Sequence, residues 1–155
     1  MADYELLAKQ TASFAEAEAD FVPLLANASA LLWESIDRIN WAGFYLMDQG
    51  SLLLGPFQGK SACIRIPVGR GVCGTAADED RIVRVEDVHD FPGHIACDAA
   101  SNSEIVIPIH AGGKVVGVLD IDSPETSRFD ASDEEGLAKV VAAIEEKGDF
   151  SRLRV

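Results

Sequence analysis

The chain has 155 residues, 48% of them hydrophobic, enough for one domain spanning 1–155 to bury a core without disulfide staples. A formal charge of −13 and the lack of any basic tract argue against nucleic acid or an anionic membrane surface as partner. The opening run Met1-Ala2-Asp3-Tyr4-Glu5 carries no basic leader region and no apolar run approaches a membrane span, so the expected compartment is the cytoplasm, where thiols stay reduced.

From Leu6 to about Ala19, apolar residues such as Leu7, Phe14 and Ala15 recur at helical spacing. Phe21 to Ile36 predicts a second helix through Leu24, Leu25, Ala28, Leu31 and Leu32, with Pro23 suited to its first turn and Trp33 assigned to the core. Ile39 to Met47 reads as a strand, Asp48-Gln49-Gly50 as its turn and Ser51 to Leu54 as the returning strand. The stretches Gly55 to Arg81 and Glu86 to Ser103 exceed the usual connection of about four to six residues and are where a pocket would be built, with a strand at Ile82 to Val85 between them. Glu104 to His110, the turn Ala111-Gly112-Gly113 and Lys114 to Ile121 form an Ile/Val-rich hairpin. After Ser123-Pro124, Ala131 to Glu146 returns to helix, with Asp130 or Ser132 as cap and Asp133, Glu134 and Glu135 near the positive end of its dipole. This order predicts an α+β domain: a mainly antiparallel central sheet, N- and C-terminal helices on one face, and pocket-forming loops on the other.

Three cysteines, Cys63, Cys73 and Cys97, stand in the middle third of the chain, each beside residues suited to a tight loop or turn. Their odd number leaves at least one thiol free, metal-bound or engaged in transient disulfides, which points to redox chemistry. Two rival readings of this region are set aside. Gly69, Gly71 and Gly74 match GxGxxG, but the helix expected after them, Thr75 to Asp80, is too short for the βαβ unit of a dinucleotide site; a tight strand-to-helix turn with close backbone packing fits better. His89, His94 and Cys97 lie in one segment, yet zinc sites favour short paired spacings and these cysteines stand ten and twenty-four residues apart, so hydrogen-bonding roles are expected for both histidines and no metal is expected. A Cys-His hydrolase built on His94 and Cys97 is conceivable, but proximity in sequence does not supply its geometry.

Strand alternation adds a second group. Asp120 and Asp122 alternate with Leu119 and Ile121, so both acids face one side of the sheet, where Glu104 at the start of the partner strand can join them. Acids grouped inside an apolar hairpin need a cationic partner. Trp41 and Tyr45, four apart on the first strand, also share a side; ordinary sheet packing accounts for most such aromatics.

The runs Asn40-Trp41-Ala42-Gly43-Phe44-Tyr45, Gly55-Pro56-Phe57-Gln58-Gly59-Lys60, Gly69 to Thr75, Phe91-Pro92-Gly93-His94-Ile95-Ala96-Cys97-Asp98, Ser101-Asn102-Ser103-Glu104-Ile105-Val106 and Gly117-Val118-Leu119-Asp120-Ile121-Asp122-Ser123 together resemble the free methionine-(R)-sulfoxide reductases, enzymes built on a GAF domain. The likeness spans nearly the whole chain. It implies that Cys97 attacks the electrophilic sulfoxide sulfur and is left as a sulfenic acid, that Cys63 condenses with it to a disulfide, and that thioredoxin restores the thiols. Cys73 is then an alternate resolving thiol or a later partner in exchange. The resemblance also assigns Glu104, Asp120 and Asp122 to the ammonium of the free amino acid, Trp41 to a wall against the methyl-sulfur end and Tyr45 to a nearby polar or packing contact. One acid, kept protonated by its neighbours, could assist departure of the sulfoxide oxygen; which of the three does so stays open. No cofactor is implied, and a homodimer is. The alternative is a noncatalytic GAF sensor for a small ligand such as a cyclic nucleotide, but a phosphate ligand would want amides or Arg where Asp120 and Asp122 would repel it.

Overall fold

The computed structural model describes residues 2–95, 97 and 100–155; Met1, and Ala96 and Asp98 of the run from Phe91 to Asp98, lie outside the described residues. In chain order the elements are α1 (Tyr4–Ala17), α2 (Phe21–Ser35), β1 (Trp41–Asp48), β2 (Ser51–Gly59), β3 (Arg65–Pro67), α3 (Gly71–Glu79), β4 (Val83–Val85), a 3-10 turn (Val88–Asp90), β5 (Ser103–Ala111), β6 (Lys114–Ser123) and α4 (Ala131–Lys147). Local chemistry starts the helices where the sequence does: the Asp3 and Asp20 carboxylates accept from the Leu6 and Val22 amides, and Asp130 with Asp133 forms a reciprocal capping box at α4.

The six strands pair antiparallel throughout, in the order β3-β2-β1-β6-β5-β4. Period-two alternation splits the interior into two layers. On one face Ala42, Phe44, Leu46, Ile105, Ile107, Leu119 and Ile121 pack beneath α1, α2 and α4. On the other, Trp41, Tyr45, Val106 and Val118 meet Val72, Cys73 and Ala76 of α3. The α+β arrangement is as expected, with one amendment: the second face is covered by a helix as well as by loops, because α3 begins at Gly71 and not at Thr75. Gly71 adopts a positive φ of +65°, and a Cβ on Gly74 would come within 2.5 Å of the Pro67 carbonyl oxygen, so the glycines serve a tight turn and a close helix-to-strand approach.

Two further expectations are corrected. The strand expected to end at Leu54 continues to Gly59, since a β-bulge sets Gly55 and Pro56 opposite Phe44 alone and absorbs the proline that cannot donate to the ladder. Trp33 is not a core residue: it is 38% exposed, because the buried stripe of α2 runs through Leu24, Leu25, Ala28 and Leu32, and the next residue is rotated about 100° away. Among the described residues no helix is long and apolar enough to cross a membrane.

Candidate active site

The strand register assembles one end of the cavity. Asp122 on β6 stands directly between Trp41 on β1 and Glu104 on β5, and Asp120, two residues along β6, stands between Gly43 and Val106. These side chains emerge on the α3 face, where Cys73 meets them; its Sγ lies 3.9 Å from Glu104 Oε2. Trp41, Tyr45, Cys73, Cys97, Glu104, Asp120 and Asp122 line a single cavity of ≈ 50 Å³. Cys63 is linked to it through a disulfide to Cys97 with a Cα–Cα distance of 5.5 Å, inside the range that side-chain geometry allows. Cys73 is the free thiol and is buried.

The aromatic residues have two functions in this geometry. Trp41 stacks on Tyr45 with ring centroids 5.9 Å apart and on Phe57 at 5.1 Å, which makes a rigid cavity wall. Their polar tips also hold the loop between β2 and β3. Trp41 Nε1 donates to the Lys60 carbonyl at 3.1 Å, and the Tyr45 hydroxyl donates to the Cys63 carbonyl at 2.8 Å. The strand that bears the wall therefore also positions one sulfur of the disulfide.

The floor of the cavity is electrostatically strained. Burial, and then the charges of Asp120 and Asp122, raise the pKa of Glu104 well above the ordinary carboxylate range. Burial raises Asp120 too, but hydrogen bonding with Glu104, Cys73 and Asp122 works in the opposite direction. The Cys73 thiol is pushed well above its usual value by burial and then by Asp120 and Glu104, so it is held as the thiol. Asp120 is 5% exposed and, among the described residues, its Oδ1 atom makes no hydrogen bond, an orphaned acceptor at the cavity floor. A site with this charge pattern attracts a cation.

A GAF-domain family model matches residues 18–145. Over 128 residues the chain is 60% identical to the free methionine-R-sulfoxide reductase of Escherichia coli, covering 83% of this chain and 78% of that protein. The structure of fRMsr of Staphylococcus aureus in its reduced form superposes with a TM-score of 0.92 at 55% identity, covering 95% of this chain and 96% of that one. The free methionine-R-sulfoxide reductase of Neisseria meningitidis, solved in complex with its substrate, gives a TM-score of 0.89 at 43% identity over 93% of this chain and 87% of that one. The chain belongs to the free methionine-R-sulfoxide reductase family.

In this free methionine-R-sulfoxide reductase, an oxidoreductase, the cavity also holds residues that strand periodicity does not reveal. His94, Ile95, Arg70 and Ser101 line the cavity from loops and from the start of α3. His94 was expected in a loop hydrogen-bonding role; it also lines the cavity, where burial, and then the charge of His89, lower its pKa. Its place in the run Phe91 to Cys97 was the available signal. His89 keeps the expected local role, with Nδ1 2.8 Å from Asp87 Oδ1. Among the described residues, the ligand atoms that converge as a metal would require belong to Cys73, Glu104 and Asp120, all within 4.8 Å, and not to His89, His94 and Cys97. That donor set is the cavity floor itself.

Proposed function

We propose that the chain reduces free L-methionine-(R)-sulfoxide to L-methionine in the cytoplasm. The observation that carries this reading is the Cys63–Cys97 disulfide at the rim of a cavity floored by Glu104, Asp120 and Asp122. In the reduced enzyme the Cys97 thiolate attacks the sulfoxide sulfur. The oxygen passes to Cys97 as the sulfenic acid while L-methionine departs; the Cys63 thiol then displaces that oxygen as water and closes the disulfide. Thioredoxin returns two electrons and two protons by exchange. Cys73 remains the alternate partner for such exchange.

The three acids divide the remaining work. Glu104, whose pKa burial and two acidic neighbours raise well above the ordinary carboxylate range, is the proton holder that assists departure of the oxygen. Asp120 and Asp122 hold the substrate ammonium, for which the orphaned Oδ1 of Asp120 is a waiting acceptor. Trp41 packs against the methyl-sulfur end. Tyr45 acts through the carbonyl it anchors at Cys63. A sensor for an anionic ligand such as a cyclic nucleotide is disfavoured by the same acids, which would repel phosphate.

The exposed apolar side chains Val22 and Trp33 on α2 offer surface for a second copy, in keeping with a homodimer, which light scattering would test. The deciding experiment for the activity is consumption of free methionine-(R)-sulfoxide with dithiothreitol as reductant; absence of turnover by the reduced protein would overturn the reading.

A further inference from the structure

The most exposed large hydrophobic side chain of the described residues is Ile64, at 71%, and it is the immediate neighbour of the disulfide cysteine Cys63. Its surroundings are not those of a loose loop tip. The Ile64 carbonyl accepts from the Leu54 amide at 2.8 Å, the Cys63 carbonyl from the Tyr45 hydroxyl, and the Lys60 carbonyl from Trp41 Nε1. Three strand residues thus hold residues 60–64 in place while the isoleucine side chain is left to solvent, which gains nothing from the hydrophobic effect in the isolated protein.

Charge is segregated along the same stretch of the chain. In a chain with 26 acidic residues, none occurs between Asp48 and Asp78, whereas Lys60, Arg65 and Arg70 do. Lys60 and Arg70 make no ion pair among the described residues, and Arg70 lines the cavity rim; Arg65 is paired with Asp48. A segment with basic but no acidic residues, carrying an exposed isoleucine next to the disulfide on a protein of charge −13, is complementary to an acidic partner.

We propose that Ile64, with the basic residues Lys60 and Arg70 of the same segment, is the docking site for an acidic dithiol protein of the thioredoxin kind, which attacks the Cys63 sulfur. This inference rests on the proposed reductase activity and says where its reductant binds. The partner's thiolate forms a mixed disulfide with Cys63 Sγ and expels Cys97 Sγ, which takes up a proton or persists as thiolate. The partner's second thiol then attacks the mixed disulfide and releases Cys63, so that one dithiol is oxidised and one disulfide reduced, and Cys97 is freed in the first step. Preorganised burial of one anchor side chain gives such a contact its affinity, and the basic residues of the segment its on-rate.

The test compares two reductants. With dithiothreitol, Ile64→Glu and Lys60→Glu are expected to match the parent in kcat and in KM for the sulfoxide. With thioredoxin, its reductase and NADPH, Ile64→Glu should raise the KM for thioredoxin at least tenfold, Ile64→Leu should leave it near the parent value, and Lys60→Glu should raise it less and flatten its dependence on salt. Thioredoxin whose second active-site cysteine is replaced by serine should be trapped on Cys63, as mapped by peptide mass spectrometry. An unchanged thioredoxin KM in Ile64→Glu, or trapping on Cys97, overturns the docking proposal. An equal loss with both reductants, or a changed oligomeric state, assigns Ile64 to the enzyme's own architecture and overturns it too. Loss of dithiothreitol-supported turnover in the parent protein would instead refute the reductase reading itself.

Discussion

Replacing Glu104 by glutamine separates two consequences of the acidic floor, recognition of the substrate and self-repulsion in the empty site. Glu104 is 8% exposed and stands opposite Asp122 in the β5–β6 ladder. Burial and the two aspartates raise its folded-state pKa, whereas in the unfolded chain the same carboxyl ionises at about 4.3. Between those values the folded protein binds more protons than the unfolded chain, so stability falls as pH rises through that window. Below it the group is neutral in both states and the difference vanishes. A glutamine carries no charge at any pH. Glu104→Gln should therefore melt with the parent below about pH 4 and at an equal or higher temperature near pH 8. Catalysis should go the other way: loss of a proton-donating, charge-assisted contact is worth about 1.5 to 3 kcal/mol, or roughly ten- to a hundredfold in kcat/KM. Thermal melts of substrate-free protein across that pH range, with steady-state assays in dithiothreitol, read both effects. A lower Tm near neutral pH with kcat/KM per folded molecule unchanged would refute the reasoning and make Glu104 structural.

Asp120→Asn and Asp122→Asn are expected to follow the same pattern, holding or raising Tm while kcat/KM falls, with normal alkylation of reduced Cys97. Cys97→Ser should abolish turnover, since a hydroxyl supplies no thiolate at neutral pH, and Cys63→Ser should complete one stoichiometric turnover but recycle poorly through thioredoxin; full steady-state activity of Cys97→Ser would remove it as nucleophile. A cavity that closes around the methyl-sulfur end and the ammonium should accept the free R epimer and reject the S epimer and peptide-bound sulfoxide, and comparable consumption of all three by the parent protein would show an open site. Tyr45→Phe, which deletes the hydroxyl that holds the Cys63 carbonyl, should cost about 0.5 to 1.5 kcal/mol in stability and slow disulfide closure after a single turnover. Closure at the parent rate, followed by quenched-flow mass spectrometry, would leave Tyr45 as a cavity wall alone.

What the sequence determined by itself was set by local periodicity. The parity of Asp120 and Asp122 against Leu119 and Ile121, and of Trp41 with Tyr45, is a property of any extended chain, and those side chains do share one face. Caps at Asp130 and the turn at Gly69 to Gly74 are equally local, as is the order of helices and hairpins. The family motifs added the three thiols and the acids as a group. Tertiary structure decided the rest. Cys63 is bonded to Cys97, and Cys73 is left buried against Glu104, because β2, α3 and the segment before β5 meet over one face of the sheet; spacings of ten and twenty-four residues carry no such information. Which acid keeps a proton depends on burial and on the charges around it, both of which exist only once β5, β6 and α3 are packed. Trp33 and Ile64 make the same point in reverse. Trp33 was expected in the core and Ile64 is as apolar as any core residue, but one lies just past the buried stripe of its helix and the other on a pinned loop outside the sheet, so packing leaves both to solvent.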